Sequence, residues 1–321
     1  MRALVTGAAG FLGSHLVAAL VAAGAEVRAF DRRPPERLPP GAEAAVGDLL
    51  DAAALAKAMR DCDSVFHLAA LYSYARADAA AMEAVNVEGT RAVLEQAARG
   101  PRRRVVHTSS SATCGPVAGR AATEDDAPPD WELAVPYKRT KLEGERLALS
   151  AAGEGLDVLV VNPTTPVGPG DRRPTPTGKM VSDVARGRIR AYLAGGALNV
   201  VAVEDVAAGH RRAFEHGRRG HRYLLGGENV SMADAFAVVA RAAGRPPPRI
   251  AIPWRLAYLA SGLSTAALGA VGRQPSLLVL DEVRLARWPM LFDDATARRE
   301  LGHRSRPAAE ALAAAVADAI A

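Results

Sequence analysis

Residues 6 to 15 read TGAAGFLGSH, directly after the apolar run ALV and directly before an Ala/Leu-rich stretch of helical period. Gly7, Gly10 and Gly13 therefore fall on a strand-to-helix turn at the start of the chain. Each has a physical use there. Gly7 permits the tight turn, Gly10 lets backbone approach a pyrophosphate, and Gly13 lets helix and strand pack closely while the helix N-terminus faces the phosphates. Few turns constrain a fold so strongly, because this one needs a parallel strand before it and a crossover helix after it.

The chain meets that demand as far as about residue 165. Short apolar runs at Ala3 to Thr6, Glu26 to Phe30, Ala44 to Val46, Ser64 to Leu68, Arg104 to Ser109 and Asp157 to Asn162 read as strands. Phe11 to Ala23, Ala53 to Met59, Met82 to Arg99 and Val135 to Ala151 read as helices between them. Such alternation predicts an α/β fold, a Rossmann-type doubly wound parallel sheet. The Pro/Gly-rich stretch from Pro163 to Gly178 breaks the pattern, and Val200 to His216 reads as one more strand and helix returning to the first domain. The expected division is a dinucleotide-binding domain over 1–165 and 199–218, with a smaller C-terminal α/β substrate lobe over 166–198 and 219–321.

In a doubly wound sheet the ligand lies against the C-terminal ends of the strands. Asp31 ends the second strand, where a carboxylate accepts hydrogen bonds from an adenosine ribose and repels a 2′-phosphate; Arg32 and Arg33 follow and could hold that phosphate instead. NAD is expected, with NADP as the alternative. The cofactor-facing set is Gly7, Gly10, Phe11, Leu12, Asp31, Arg32, Asp48, Leu49, Leu68, Ala69, Ala70 and Pro163, joined by Tyr137 and Lys141. His67 is expected to pack beside the cofactor and not to react.

Two of the four lysines lie in YKRTK, residues 137 to 141, of a chain that otherwise uses arginine. Tyr137 and Lys141 are four apart and share one helix face. A phenol titrates near 10, and a neighbouring ammonium favours its ionised form. Lysine is also compact enough to reach two ribose hydroxyls. Ser109, Ser110 and Ser111, at the end of the fifth strand, supply a hydroxyl to orient a substrate carbonyl.

TGAAGFLGSH, HLAA, NVEGT, HTSSSATCG and YKRTK together resemble the extended short-chain dehydrogenase/reductase family, and the likeness runs along essentially the whole chain. NPTTPVGPGDRRPTPTG and LLGGENVSM are most similar to its dihydroflavonol-reductase-like branch and to the hopanoid-associated sugar epimerases. The resemblance implies a catalytic set of Ser110, Tyr137 and Lys141, with Ser111 as fallback for the serine; were Tyr137 not the acid, Asp171 or His67 would be the acids to seek. It implies an NAD(P)-dependent oxidoreductase acting on a carbonyl or secondary alcohol of a sugar-like or lipid-linked small molecule. A nucleotide-sugar epimerase or dehydratase that recycles its NAD is the alternative, and a non-catalytic NAD(P)H-sensing module stands in a third class. Nucleotide-sugar epimerases usually carry an arginine where Leu198 and Asn199 stand, so a diphosphate substrate would lose a charge-assisted contact here; Arg172, Arg173, Arg211 and Arg284 are the candidates to replace it.

Composition excludes several other classes. Cys62 and Cys114 are too few for a disulfide framework or a zinc site, so no metal is expected and a cytoplasmic setting is. The net charge of +5 is spread over scattered arginines, which argues against nucleic acid. Arg255 to Arg273 is uncharged between its ends and reads as a buried or interfacial helix, with weak membrane association but no integral segment. The apolar helices Met82 to Arg99 and Val135 to Ala151 point to a homodimer.

Overall fold

The computed structural model describes residues 1–100, 103–269 and 280–320. Seven parallel strands form the central sheet: β1 (Arg2–Thr6), β2 (Glu26–Asp31), β3 (Ala42–Val46), β4 (Ser64–His67), β5 (Arg104–Thr108), β6 (Asp157–Pro163) and a last strand, Arg222–Leu225. Their spatial order is β3-β2-β1-β4-β5-β6 followed by Arg222–Leu225, which places the switch of winding direction between β1 and β4. Strands such as VLVV at 158–161 are buried on both faces, as helices on each side require.

On one face, α1 (Phe11–Ala22) closes a core of Leu16, Val17, Leu20, Phe66 and Val106. The other face carries α2 (Ala52–Met59) and then the region expected as one helix from Met82 to Arg99, which is divided. A short α3 (Ala79–Met82) runs into a π-helical turn, Glu83–Glu88, and then α4 (Gly89–Ala98). The carbonyl of Asn86 accepts the Thr90 hydroxyl at 2.7 Å, and the Asn86 side chain bonds elsewhere in the fold. Wide turns of this kind collect at functional positions. α5 (Pro136–Gly153) completes this layer, with Pro136 at the first turn, where its missing N–H costs nothing.

A second core forms beyond the sheet. β7 (Thr165–Val167), β9 (Ala197–Ala202) and β11 (Glu228–Ser231) make a three-stranded sheet, while β8 (Ala191–Leu193) pairs with β12 (Ile250–Ile252). Arg222–Leu225 is β10. Around these strands lie α6 (Pro176–Ala185), α7 (Val203–His216), α8 (Met232–Ala242), α9 (Trp254–Gly269), α10 (Leu280–Leu285) and α11 (Ala308–Ile320). Val181, Val200, Phe236, Val239 and Leu312 fill the core.

The strand expected at Val200 differs in its pairing. It lies in the small sheet as β9, parallel to β7, and the seventh strand of the large sheet is β10, paired with β6. The helix that follows, α7, does return: Val206, Ala207 and Ala213 enter the core that contains Leu16 and Val106. Strand and helix share one apolar pattern, so only pairing partners could separate them. α9 covers the described part of the Arg255 to Arg273 stretch, and residues 270 to 273 lie outside the described residues. Among the described residues, no helix is long and apolar enough to cross a membrane.

Candidate active site

The glycine turn is built as its spacing demands. Gly7 has φ +72°, and a Cβ there would lie 2.7 Å from the Ala69 nitrogen. At Gly13 a Cβ would collide with the Gly7 carbonyl oxygen. Gly10 caps α1 without a side chain, and no acid stands in the first turn of the helix. The positive end of α1 is thus open to an anion. Asp31, at the end of β2, accepts from the Ala9 nitrogen at 3.1 Å, which fixes its carboxylate against the same turn. Leu68 and Ala69 follow β4 and donate to Thr6 at 3.2 and 3.3 Å. Asp48 is exposed past β3, Leu49 is buried against Gly89, and Pro163 ends β6. These positions line one edge of the sheet, and they fit a dinucleotide: an uncapped helix start for the pyrophosphate and a held carboxylate at the ribose end. Arg32 stands exposed beside it.

Ser110, Tyr137 and Lys141 meet at the same edge. The Ser110 hydroxyl lies beside the Tyr137 phenol and accepts from the Ala112 nitrogen at 3.2 Å. Ser109 and Ser111 are buried. Lys141 is buried and donates to the Thr108 carbonyl at 2.8 Å; burial lowers its pKa to about 8, opposed by the charge of Glu145. The expected lowering of the phenol is not what the structure shows. Burial raises the Tyr137 pKa, and the neighbouring Ser110 hydroxyl opposes that rise. The reason is that the ammonium is turned toward the Thr108 carbonyl.

Three groups absent from the sequence reading complete the site. Tyr72, on the segment after β4, lays its ring 4.3 Å from that of Tyr137, and Tyr74 lies 6.2 Å away on edge. Asn86 holds that segment: its Oδ1 accepts from Leu71 N at 2.7 Å, and its Nδ2 donates to Leu71 O and Thr140 Oγ1 at 3.0 and 3.1 Å. Beneath Ser110, the Glu145 carboxylate accepts from Thr113 Oγ1 and Asn162 Nδ2, both at 2.7 Å, and pairs with Arg222 Nε at 2.9 Å. Asn162 also donates to the Ser110 carbonyl at 3.2 Å. NVEGT contains Asn86, and Glu145 lies one turn past Lys141 on α5, but neither motif says what those side chains touch.

The fallback acids are occupied elsewhere. His67 bonds Thr6 and Thr90 at 2.7 and 3.0 Å, and burial pushes its pKa down to about 3. Asp171 accepts from the backbone and hydroxyl of Thr175 at the start of α6. Asn199 spends its amide on Asn229 and on the backbone of Gly227 and Phe292. Arg172 pairs with Glu36, Arg211 with Glu215, and Arg284 lies over Trp131. Among the described residues no group of three His, Cys, Asp or Glu could hold a metal ion.

A parallel sheet of this order, with this turn and a Tyr/Lys helix at its edge, defines a Rossmann-type dinucleotide enzyme of the extended short-chain dehydrogenase/reductase class. The chain belongs to the NAD dependent epimerase/dehydratase family, whose model matches residues 3–226. It is 38% identical over 320 residues to a Synechocystis sp. protein provisionally named dihydroflavonol 4-reductase, covering 97% of this chain and 92% of that one. Sterol demethylase protein B of Methylococcus capsulatus is 40% identical over 259 residues, 80% of this chain and 79% of its own length. Among solved structures, gox2253 superposes with a TM-score of 0.87 at 36% identity, covering 99% of this chain and 97% of that one. MoeE5 in complex with UDP-glucuronic acid and NAD superposes at 0.77 with 28% identity, over 99% and 98% of the two chains. The protein is therefore an enzyme of an NAD-dependent oxidoreductase and epimerase family.

Proposed function

We propose that this enzyme reduces a carbonyl, or oxidises the matching secondary alcohol, on a sugar-like or lipid-linked small molecule, with Tyr137 moving the proton. The observation that carries the reading is the placement of the Ser110 hydroxyl beside the Tyr137 phenol, one helical turn from Lys141. In the reductive direction a bound dihydronicotinamide supplies hydride to the carbonyl carbon. Tyr137 gives its hydroxyl proton to the carbonyl oxygen, and Ser110 orients that oxygen by hydrogen bonding. Lys141 has three N–H donors; one goes to Thr108, which leaves two for ribose hydroxyls.

NAD is the cofactor in this reading, held by the open start of α1 and by Asp31, and the NAD in the MoeE5 complex supports it. The nucleotide sugar in that complex favours the second reading, an epimerase or dehydratase. Against it stands the Leu198 and Asn199 position, where such enzymes usually carry an arginine and where Asn199 is tied into the fold. A homodimer through α4 and α5 belongs to the same proposal.

The test is a screen of NADH and NADPH against ketones, aldehydes and nucleotide sugars. Net NADH consumption with a ketone or aldehyde supports the reductase. Conversion of a nucleotide sugar without net NADH change replaces it with the second reading. On a confirmed substrate, Tyr137→Phe lowers turnover by about 10² to 10⁴ while cofactor binding is largely kept; a near-normal rate in a folded variant overturns the proton assignment.

A further inference from the structure

From Ala235 to Leu280 the sequence holds five arginines, at 241, 245, 249, 255 and 273, and no aspartate or glutamate. The chain has 40 Lys and Arg against 35 Asp and Glu, so outside this segment the charges cancel at 35 of each and the whole net charge of +5 resides here. Arg241, Arg245, Arg249 and Arg255 are all exposed.

The helix inside this segment, α9, is turned inside out. Leu256, Leu259 and Leu263 are 59%, 62% and 73% exposed, and their spacing puts them on one face. The inward face buries Ala257 and Ser261 instead. A helix facing water does the reverse. Its hydroxyls need no outside partner, since Ser261 donates to the Tyr258 carbonyl at 2.8 Å and Thr265 to the Ser261 carbonyl at 2.7 Å. Arg255 precedes Leu259 by one turn and flanks the leucine row, and Ile250 on β12 is 60% exposed.

We infer that this face docks the protein on an anionic lipid surface. A row of leucines that enters the headgroup region, flanked by arginines that meet lipid phosphates, is how interfacial helices bind. Contacts run from the start of this helix to the segment that precedes Tyr137. Trp254, at the start of α9, donates to the Val283 carbonyl of α10 at 2.7 Å, and Arg284 of α10 lies over Trp131, in the turn that leads into Tyr137. Vesicle binding stands or falls apart from the reaction assigned above.

The test is flotation of the full chain with vesicles of phosphatidylcholine alone and of phosphatidylcholine with phosphatidylglycerol. The protein is expected to float with the anionic vesicles only, and to be released as salt screens the arginines. Leu259→Ser with Leu263→Ser, and separately Arg249→Ser with Arg255→Ser, should each weaken binding by about tenfold or more, with circular dichroism and thermal melting unchanged. Wild-type protein that stays behind with anionic vesicles overturns the inference, as do variants that float equally well. So does a wild-type dimer that the leucine variant converts to monomer, because a second copy would then cover the row.

Discussion

The ring of Tyr72 lies 4.3 Å from the ring of Tyr137, inclined by 33°, so the proposed acid/base residue carries an aromatic wall contributed by the segment after β4. Tyr74 closes the arrangement from the edge, and its hydroxyl lies 3.0 Å from that of Tyr72. Aromatic contacts of this kind are worth about 0.5–1.5 kcal/mol beyond area burial.

Tyr72→Ala is therefore expected to raise KM for flat or apolar carbonyl substrates by about 2- to 10-fold and to change kcat less. Tyr72→Phe should stay close to wild type, because it keeps the ring. Steady-state kinetics on a bulky and a small ketone read the difference. Equal effects on both ketones would remove Tyr72 from substrate selection.

In the proposed NAD site Asp31 faces the ribose end, and it accepts from Ala9 N at 3.1 Å. Replacing it by Ala or by Asn separates the two jobs. Both variants should bind NADPH more tightly relative to NADH, since the repelling charge is gone. Only Asp31→Ala should also loosen the glycine turn and weaken NADH by about tenfold. Fluorescence titration with both cofactors checks this, and a wild-type preference for NADPH would mean that Arg32 and Arg33 prevail.

Lys138, the other lysine of YKRTK, is buried, pairs with buried Glu132 and donates to the Gly115 carbonyl at 3.0 Å. Burial pushes the Glu132 carboxyl up and the Lys138 ammonium down, and their attraction opposes both shifts. Lys138→Met leaves a lone buried carboxylate and should cost about 3–5 kcal/mol in urea unfolding. Adding Glu132→Leu should restore most of that stability. A double variant no better than the single one would show that the pair is not coupled.

Burial keeps His67, with a pKa of about 3, His210, at about 4, and His107, well below 6.5, neutral in the folded chain. The unfolded chain takes up these protons as pH falls through about 6.5. Folded pKa values lie below unfolded ones, so stability is full above about pH 6.5 and falls on acidification until the folded pKa values are passed. Three protons correspond to a slope of about 4 kcal/mol per pH unit near pH 5. Among the described residues His107 has no hydrogen-bond partner for either ring nitrogen, so His107→Phe should cut that slope by about a third, read from urea midpoints across the range.

Much of the architecture was legible because it is written in local pattern. Strand and helix periods located β1 to β6 within a residue or two, and the glycine spacing located the tight turn between β1 and α1. The divided helix at Glu83–Glu88 was not legible. The turn packs against Gly144 on α5, where a Cβ would come within 2.6 Å of the Asn86 carbonyl, and no helix period records a neighbour so far along the chain. The pairing of β9 was hidden for the same reason. Lysine usage was informative in part: Lys57 and Lys179 are exposed, while Lys138 and Lys141 are buried with different partners.

By itself the sequence determined the parallel sheet, the turn at Gly7 to Gly13 and the common face of Tyr137 and Lys141, because each depends on spacing within a single strand, turn or helix. Only the tertiary structure decided that Ser110 and not its neighbours meets the phenol, that Tyr72 stacks on Tyr137, and that Glu145, Asn162 and Arg222 support the serine turn from below. Those contacts join segments far apart in sequence, and they exist only once sheet register and helix packing have set each side chain against its partner.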